Sequence, residues 1–470
     1  MNIKRFFNCA VPVYSCNLKC SYCFVGQKDL SNRKDLNATL SPELIKQAFT
    51  TERTRGRALI NLCGMGETLI PAEMIDIIRG LLENGQFVSV VTNCTLTNKI
   101  MQLCEMEKQY KDRLFIKCSF HYEELIRTNL LDVFFDNVQW LRENKISYTI
   151  EMVANDSLIS KEKQIKDIFQ SKNEAMPHIL ESRYIADDSF RRLTNLKAED
   201  HQQAWEKYDS ELFRAQQSLW GEKRSEFCMA GELSVDVDLK SGCMAQCNTG
   251  GKQIGNIYEN LDDPMEFCAI GSNCPTPHCF ISYVWQGLCG NIENIPYATY
   301  DEMRNRKRPD GQEWLTPVIK GAFSKRCSDY LTYSEQKKQV VNGIMSLYYD
   351  NSVPEEAYMA LKEWMDEKLS NEGIRSVVLY GFGRIGKALK EVFDSIDIKV
   401  VKIVDRSVKE SVGLYETTDI FWSHVADLHS KADAVIVTPI SDGQGIKEKI
   451  TDKNPYLKVI NILEEIQYIV

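Results

Sequence analysis

The sequence predicts an α/β protein built on parallel sheets, and two observations predict it. Between residue 58 and about residue 155, short apolar runs that close on polar residues alternate with stretches of helical periodicity, as strands do when helices cover both their faces. Near the C-terminus the alternation returns around a Gly-x-Gly-x-x-Gly turn. A chain of 470 residues is expected to hold about three domains.

The run Cys16-Asn-Leu-Lys-Cys20-Ser-Tyr-Cys23 comes first, and its C-x3-C-x2-C spacing offers three thiolates. An electron-transfer [4Fe–4S] cluster is normally closed by four cysteines, so a group of three leaves one iron open. Structural zinc is the alternative, but zinc sites usually pair C-x2-C with a second pair, and no further Cys or His closely follows Cys23. The spacing resembles that of the radical S-adenosylmethionine (SAM) superfamily. That resemblance implies a [4Fe–4S] cluster on Cys16, Cys20 and Cys23, SAM at the open iron, and reductive cleavage to a 5′-deoxyadenosyl radical that abstracts hydrogen. It also implies that Tyr22 lies against the adenine.

Next, Ala58-Leu-Ile-Asn-Leu-Cys63 reads as a buried strand that runs into Gly64-Met-Gly66-Glu67. This turn resembles the family's Gly-Gly-Glu-Pro element, with Thr68 in the place of proline; the glycines then admit the amino group of SAM and Glu67 adds an anionic partner. Three more strands follow, Val88 to Asn93, Leu114 to His121 and Ile146 to Asn155. Ligands in such sheets sit beyond the strand C-termini. The family's partial (β/α)6 TIM-type barrel fits this order over residues 1–200, and by resemblance Thr92, Asn93, Ser119, His121, Glu151 and Asn155 face the SAM and substrate cavity. An ordinary surface role is the alternative for each.

Seven cysteines then crowd together: Cys228, Cys243, Cys247, Cys268, Cys274, Cys279 and Cys289. The alternation from Leu233 to Gly242 predicts a hairpin strand with a glycine turn. Cys228, Gly242 and Cys247 resemble the opening of the SPASM or twitch extension of radical SAM enzymes, which implies an auxiliary [4Fe–4S] cluster over residues 220–295, held by Cys228, Cys247, Cys274 and Cys279. A zinc site that draws on these cysteines and His278 stays open. Cys9, Cys63, Cys94, Cys104, Cys118 and Cys327 read as buried small hydrophobes.

Residues 296–370 read as a helical linker. Its basic run, Arg304 to Arg308, reads as a solvated loop before Pro309, while Pro354 with Glu355 and Glu356 suits a helix first turn. Over residues 372–470, a strand from Ser376 leads into Gly381, Gly383 and Gly386, and a second strand ends at Asp405, where the Rossmann fingerprint puts its ribose-binding acid. This segment resembles a small Rossmann-like parallel-sheet domain whose turn would hold the phosphate of a nucleotide; an empty docking domain is the alternative.

A net charge of −9 argues against a nucleic-acid surface, and no apolar run reaches membrane-spanning length. Sixteen cysteines, most of them gathered in metal-like groups, point to a reducing, cytoplasmic setting. The expectation is a radical SAM enzyme that acts on a small-molecule or peptide substrate and draws electrons from a donor such as flavodoxin or ferredoxin, with a nucleotide-linked substrate such as a nucleotide sugar first in line. Peptide or protein modification of the SPASM type is one alternative, and a non-catalytic protein that binds zinc and nucleotides is another.

Overall fold

The computed structural model describes residues 2–27, 37–185, 191–279, 287–290, 298–405, 413–415, 418–421 and 432–469. The chain divides into two compact units, one of residues 1–224, 233–243 and 276–331, the other of residues 225–232, 244–275 and 332–470. The stretch read as a linker falls partly in each.

In the first unit the parallel strands are β1 (Arg5–Val11), β2 (Ala58–Gly64), β3 (Phe87–Thr92), β4 (Leu114–Ser119), β5 (Ser147–Val153) and β6 (His178–Leu180). They lie side by side in sequence order, β6-β5-β4-β3-β2-β1, as successive right-handed crossovers arrange them, and this order fits the partial barrel. On one face Phe7, Cys9, Ile60, Leu62, Val88, Val90, Ile116, Cys118 and Ile150 are fully buried. Helices such as Met74–Glu83 and Leu131–Glu143 bury their own apolar stripes.

A seventh strand, β7 (Ser234–Asp238), pairs parallel with β1. The reading of a hairpin strand with a glycine turn holds here, since β7 lies within Leu233–Gly242 and Gly242 at φ +76° donates its N–H to the Asp238 carbonyl; alternation does not foretell its parallel pairing with β1. At the β5 edge, Glu174 accepts hydrogen bonds from Tyr148 Oη at 3.0 Å and Trp314 Nε1 at 2.7 Å, and pairs with Arg308.

The basic run is not a solvated loop. Arg304 is completely buried and Arg308 is 4% exposed. A guanidinium withdrawn from water needs an acid beside it, and Arg304 finds Glu151 on β5 while Arg308 finds Glu174.

Two short strands follow in the chain, β8 (Cys243–Ala245) and, in the second unit, β9 (Gln253–Asn256). The helices Glu335–Tyr348 and Glu355–Asn371 follow, the first capped by the Ser334 hydroxyl and the second starting after Pro354. The second sheet comprises β10 (Ser376–Tyr380), β11 (Lys399–Val404), β12 (Gly413–Tyr415), β13 (Thr418–Phe421), β14 (Ala434–Val437) and β15 (Lys458–Asn461), in the order β12-β13-β11-β10-β14-β15. All its pairings are parallel except that of β12 with β13. Val378, Tyr380, Val404, Val435, Val437, Ile446 and Ile450 form one core within it.

Candidate functional site

The three-cysteine loop leaves β1 at Val11, and its backbone presses on the turn that ends β2. Gly66 donates its N–H to the Val13 carbonyl at 2.6 Å, and Glu67 donates its own to Ser15 at 2.9 Å. A Cβ on Gly66 would stand 2.1 Å from the Ser15 carbonyl oxygen, and one on Gly64 would stand 2.6 Å from a Val13 methyl. In this structure the cysteine loop itself takes the space that these glycines leave free.

Glu67 fixes the turn to the end of the next strand. Its buried carboxylate accepts from Thr92 Oγ1 at 2.7 Å, Asn93 N at 2.7 Å and Leu69 N at 3.1 Å. Burial pushes its carboxyl above the usual range, against the pull of those three donors. Asn93 then reaches the cysteine loop, where its side-chain amide donates to Asn17 Oδ1 at 2.7 Å and lies 3.9 Å from Cys16 Sγ.

Two groups after β4 hold the loop from the other side. The Lys19 amide donates to Glu124 Oε2 at 2.6 Å, and Glu124 is itself held by two hydrogen bonds from Arg127. Tyr22 Oη lies 2.8 Å from His121 Nδ1. Burial pushes the His121 imidazole down to about 4, so near neutral pH its Nδ1 is free to accept the phenol proton.

Cys16 is exposed, and Cys20 and Cys23 are half-buried. Burial first, then the neighbouring Cys23 and Cys16 thiols and Glu124, push the Cys20 thiol up to about 12. Three thiolates gathered this way need a cationic centre to offset them. Among the described residues, no three His, Cys, Asp or Glu side chains converge on a position that could hold a single metal ion. Three thiolates presented by one short loop suit a cubane, in which each takes a different iron.

Residues 11–158 match the family described as the Radical SAM superfamily. They form a radical SAM domain. Such a domain implies SAM and a [4Fe–4S] cluster. Among solved structures, SuiB from Streptococcus suis bound to S-adenosylmethionine is 14% identical, with a TM-score of 0.40 over 55% of this chain and 65% of SuiB, just under two thirds of that chain. Native anSMEcpe with bound AdoMet is 12% identical, with a TM-score of 0.37 over 55% of this chain and 79% of the other. The same protein with AdoMet and the Cp18Cys peptide gives 14% and 0.38 over 55% and 78%. No curated protein matches the chain.

Within the radical SAM domain, Tyr22, Gly64, Gly66, Glu67, Thr92, Asn93 and His121 are brought together around the cysteine loop. Ser119 ends β4, level with Glu151 on β5, and Glu151 pairs with Arg304. Asn155 caps the following turn by accepting from Ser157 N at 3.0 Å. Glu124 and Asn17 escaped the sequence reading, and Arg304 reads there as solvated; a carboxylate immediately before Leu-Ile-Arg carries no motif that marks it as an anchor.

Cys63 is not a small hydrophobe in an apolar core. It is half-buried, and burial raises its thiol against the opposing charge of Lys117.

In the second unit Cys228, Cys247 and Cys274 meet around Ala230 and Ile270, with Tyr349 packed against them. Tyr349 Oη donates to Gln246 Oε1 at 2.6 Å and accepts from Lys252 N at 3.1 Å. Gly251 is required here, since a Cβ would stand 2.0 Å from Cys247 N. Cys268 is buried separately, with its thiol toward the Ala269 carbonyl. Cys279, grouped with the three from sequence, belongs to the first unit.

At the glycine turn after β10, Gly381 has φ +93° and Gly386 admits the Gly381 carbonyl, whose oxygen would lie 2.2 Å from a Cβ. Gly383 faces open space as N-cap of the helix Arg384–Ser395. Asp405, just past β11, accepts from Phe382 N. Among the described residues, no helix is long and apolar enough to cross a membrane.

Proposed function

We propose that this chain is a radical SAM enzyme whose Cys16, Cys20 and Cys23 hold a [4Fe–4S] cluster, and whose C-terminal sheet is a Rossmann-like domain that binds a nucleotide-bearing substrate. The observation that carries the reading is the cysteine loop itself, three thiols locked between the Gly64–Glu67 turn and the Glu124 carboxylate within the segment that matches the family. When bound, the cluster supplies the electron that splits SAM and so generates the hydrogen-abstracting radical. The chain's own residues do the rest: Asn93 orients Asn17 and Cys16, His121 holds the Tyr22 phenol, and Glu67 joins the β2 and β3 ends. A pre-fixed loop presents its sulfurs without a further ordering cost.

The nucleotide reading rests on the parallel strand order of the C-terminal sheet, the open position at Gly383 and the placement of Asp405. The packing of Cys228, Cys247 and Cys274 in one small cluster supports an auxiliary iron–sulfur site of the SPASM or twitch kind. The grouping of most cysteines in metal-like sets supports a reducing, cytoplasmic setting, with flavodoxin or ferredoxin as electron donor.

The test is anaerobic reconstitution of the native chain and of single Cys16→Ala, Cys20→Ala and Cys23→Ala variants, followed by iron and sulfide counting and assay of 5′-deoxyadenosine. Each variant should lose 5′-deoxyadenosine formation while other iron sites persist. Undiminished SAM cleavage in any of the three would overturn the assignment.

A further inference from the structure

One thiol of the first unit stands apart from the fully buried cysteines around it. Along β1, β2 and β3 nearly every residue is buried, and those that keep contact with solvent are Asn8, Ala10, Cys63, Gly64 and Val91. A hydrogen-bonded rung locates the face that most of them share: Asn61 Nδ2 donates to Asn8 Oδ1 at 2.9 Å and Ser89 Oγ to Asn61 Oδ1 at 2.7 Å. Side chains two residues apart on a strand share a face, so Ala10, Cys63 and Val91 stand on that face, one step nearer the strand C-termini. Cys9 and Cys118 fall on the opposite face, where both are completely buried.

The space in front of Cys63 is one that a ligand completes. Lys117, the register partner of Val91, stands on the same face. It is 7% exposed and, among the described residues, has no hydrogen-bond or ion-pair partner, whereas a buried lysine is normally paired. Its charge acts on the Cys63 thiol, but burial outweighs that pull and raises the thiol, so near neutral pH the sulfur keeps its hydrogen. The S–H group faces the Gly64 carbonyl oxygen at 3.8 Å, a contact weak enough to give up.

We propose that Cys63 is a catalytic residue, the donor of a hydrogen atom to a carbon radical formed on the substrate in this space. This rests on the radical SAM reading for the source of the radical. A thiol S–H bond is weaker than the C–H bonds of saturated carbon, so the carbon radical takes its hydrogen: the S–H bond breaks, a C–H bond forms, and Cys63 is left as a thiyl radical. One electron from a low-potential carrier of the flavodoxin or ferredoxin class and one proton from solvent restore the thiol. The substrate gives one hydrogen atom to the 5′-deoxyadenosyl radical, regains another from Cys63, and leaves at its original oxidation level. The class of reaction is therefore stereochemical inversion or rearrangement, not dehydrogenation.

Two measurements on the full-length chain test this. In the first, SAM itself is the probe, because without substrate the same hydrogen lies open to the 5′-deoxyadenosyl radical. Native protein, Cys63→Ser and Cys63→Ala are reconstituted anaerobically, exchanged into D2O and given SAM and dithionite, and the 5′-deoxyadenosine is analysed by mass spectrometry. The native protein should release 5′-deoxyadenosine that carries deuterium, and the label should be lost in both variants. Serine keeps an exchangeable deuteron at the same place, but its O–D bond is too strong to yield a hydrogen atom, so loss of label there marks the S–D bond as the source. Label retained in either variant, or unlabelled product from the native protein, overturns the proposal.

The second needs neither cluster nor SAM. The native chain is treated with methyl methanethiolsulfonate, and modification is followed cysteine by cysteine by mass spectrometry. Cys63 should react faster than Cys9 and Cys118, since reaction requires access to the sulfur. Equally slow modification of all three would show that Cys63 faces no reachable space and would sink the donor role without touching the radical SAM reading. Native protein that reacts at Cys63 yet forms no 5′-deoxyadenosine after reconstitution would instead remove the radical SAM reading, and with it the radical that Cys63 quenches.

Discussion

Replacing Gly66 with alanine probes the joint on which the cysteine loop rests. The added Cβ would stand 2.1 Å from the Ser15 carbonyl oxygen, 2.6 Å from the Ser15 carbonyl carbon and 2.9 Å from the Tyr14 carbonyl carbon. All three are backbone atoms, so relief cannot come from a side-chain rotation, and the loop must move away by roughly an ångström. That movement opposes the Gly66–Val13 and Glu67–Ser15 hydrogen bonds. Overpacking of this kind costs about 1–3 kcal/mol, and each of the two weakened hydrogen bonds adds about 0.5–1.5 kcal/mol, so the loop should lose about 2–6 kcal/mol. Gly321→Ala is the control, since its Cβ meets nothing within 4 Å. Both variants are reconstituted anaerobically, and the rate of iron loss to a chelator is followed beside thermal unfolding. Gly66→Ala should bind iron poorly and release it faster, while Gly321→Ala behaves as the native protein. Native iron retention and an unshifted melting curve in Gly66→Ala would show that the loop does not rest on this turn.

The His121 imidazole gives a pH dependence of definite sign. Its proton affinity is depressed from 6.5 to about 4 by burial, so the unfolded chain binds the extra proton and stability falls as pH drops from about 6.5 toward 4, by up to about 3 kcal/mol. His121→Asn should flatten that part of a melting-temperature profile, and an unchanged slope would refute the depressed value. At the C-terminal turn, Gly383→Val should fold normally, because Gly383 faces open space, yet lose any calorimetric nucleotide signal. Gly386→Ala should lower the melting temperature of the domain outright, since its Cβ would stand 2.2 Å from the Gly381 oxygen. Equal stability of the two would refute the tight-turn argument.

Features that depend on neighbours in sequence were legible from it. Strands β2 to β5, the glycine turn after β10 and the starts of the helices at Ser334 and Pro354 all follow from local periodicity and capping chemistry. What escaped depends on partners remote in sequence. Arg304 and Glu151 are 153 residues apart, and a basic cluster ahead of Pro-Asp-Gly looks solvated until the acid that neutralises it is placed beside it. In the same way, the pairing of β7 with β1 cannot be read from an alternating segment, since alternation marks a strand and not its neighbour. Cys63 was misjudged because every second position of an inner strand can face a polar interior, whatever the apolar run around it suggests. The cysteine loop shows both sides: its thiols are visible as a spacing, while its anchor, Glu124, becomes visible only once the fold brings it to the Lys19 amide.

That anchor ties two parts of the molecule into one lever. The carboxylate that grips the peptide unit between Cys16 and Cys20 rides on the helix Tyr122–Arg127, which begins three residues after β4 ends. A molecule arriving over the end of β4 and leaning on that helix would therefore tug directly on the sulfur-bearing segment. One short linkage thus carries a displacement of that helix to the three thiols without passing through the core of the sheet.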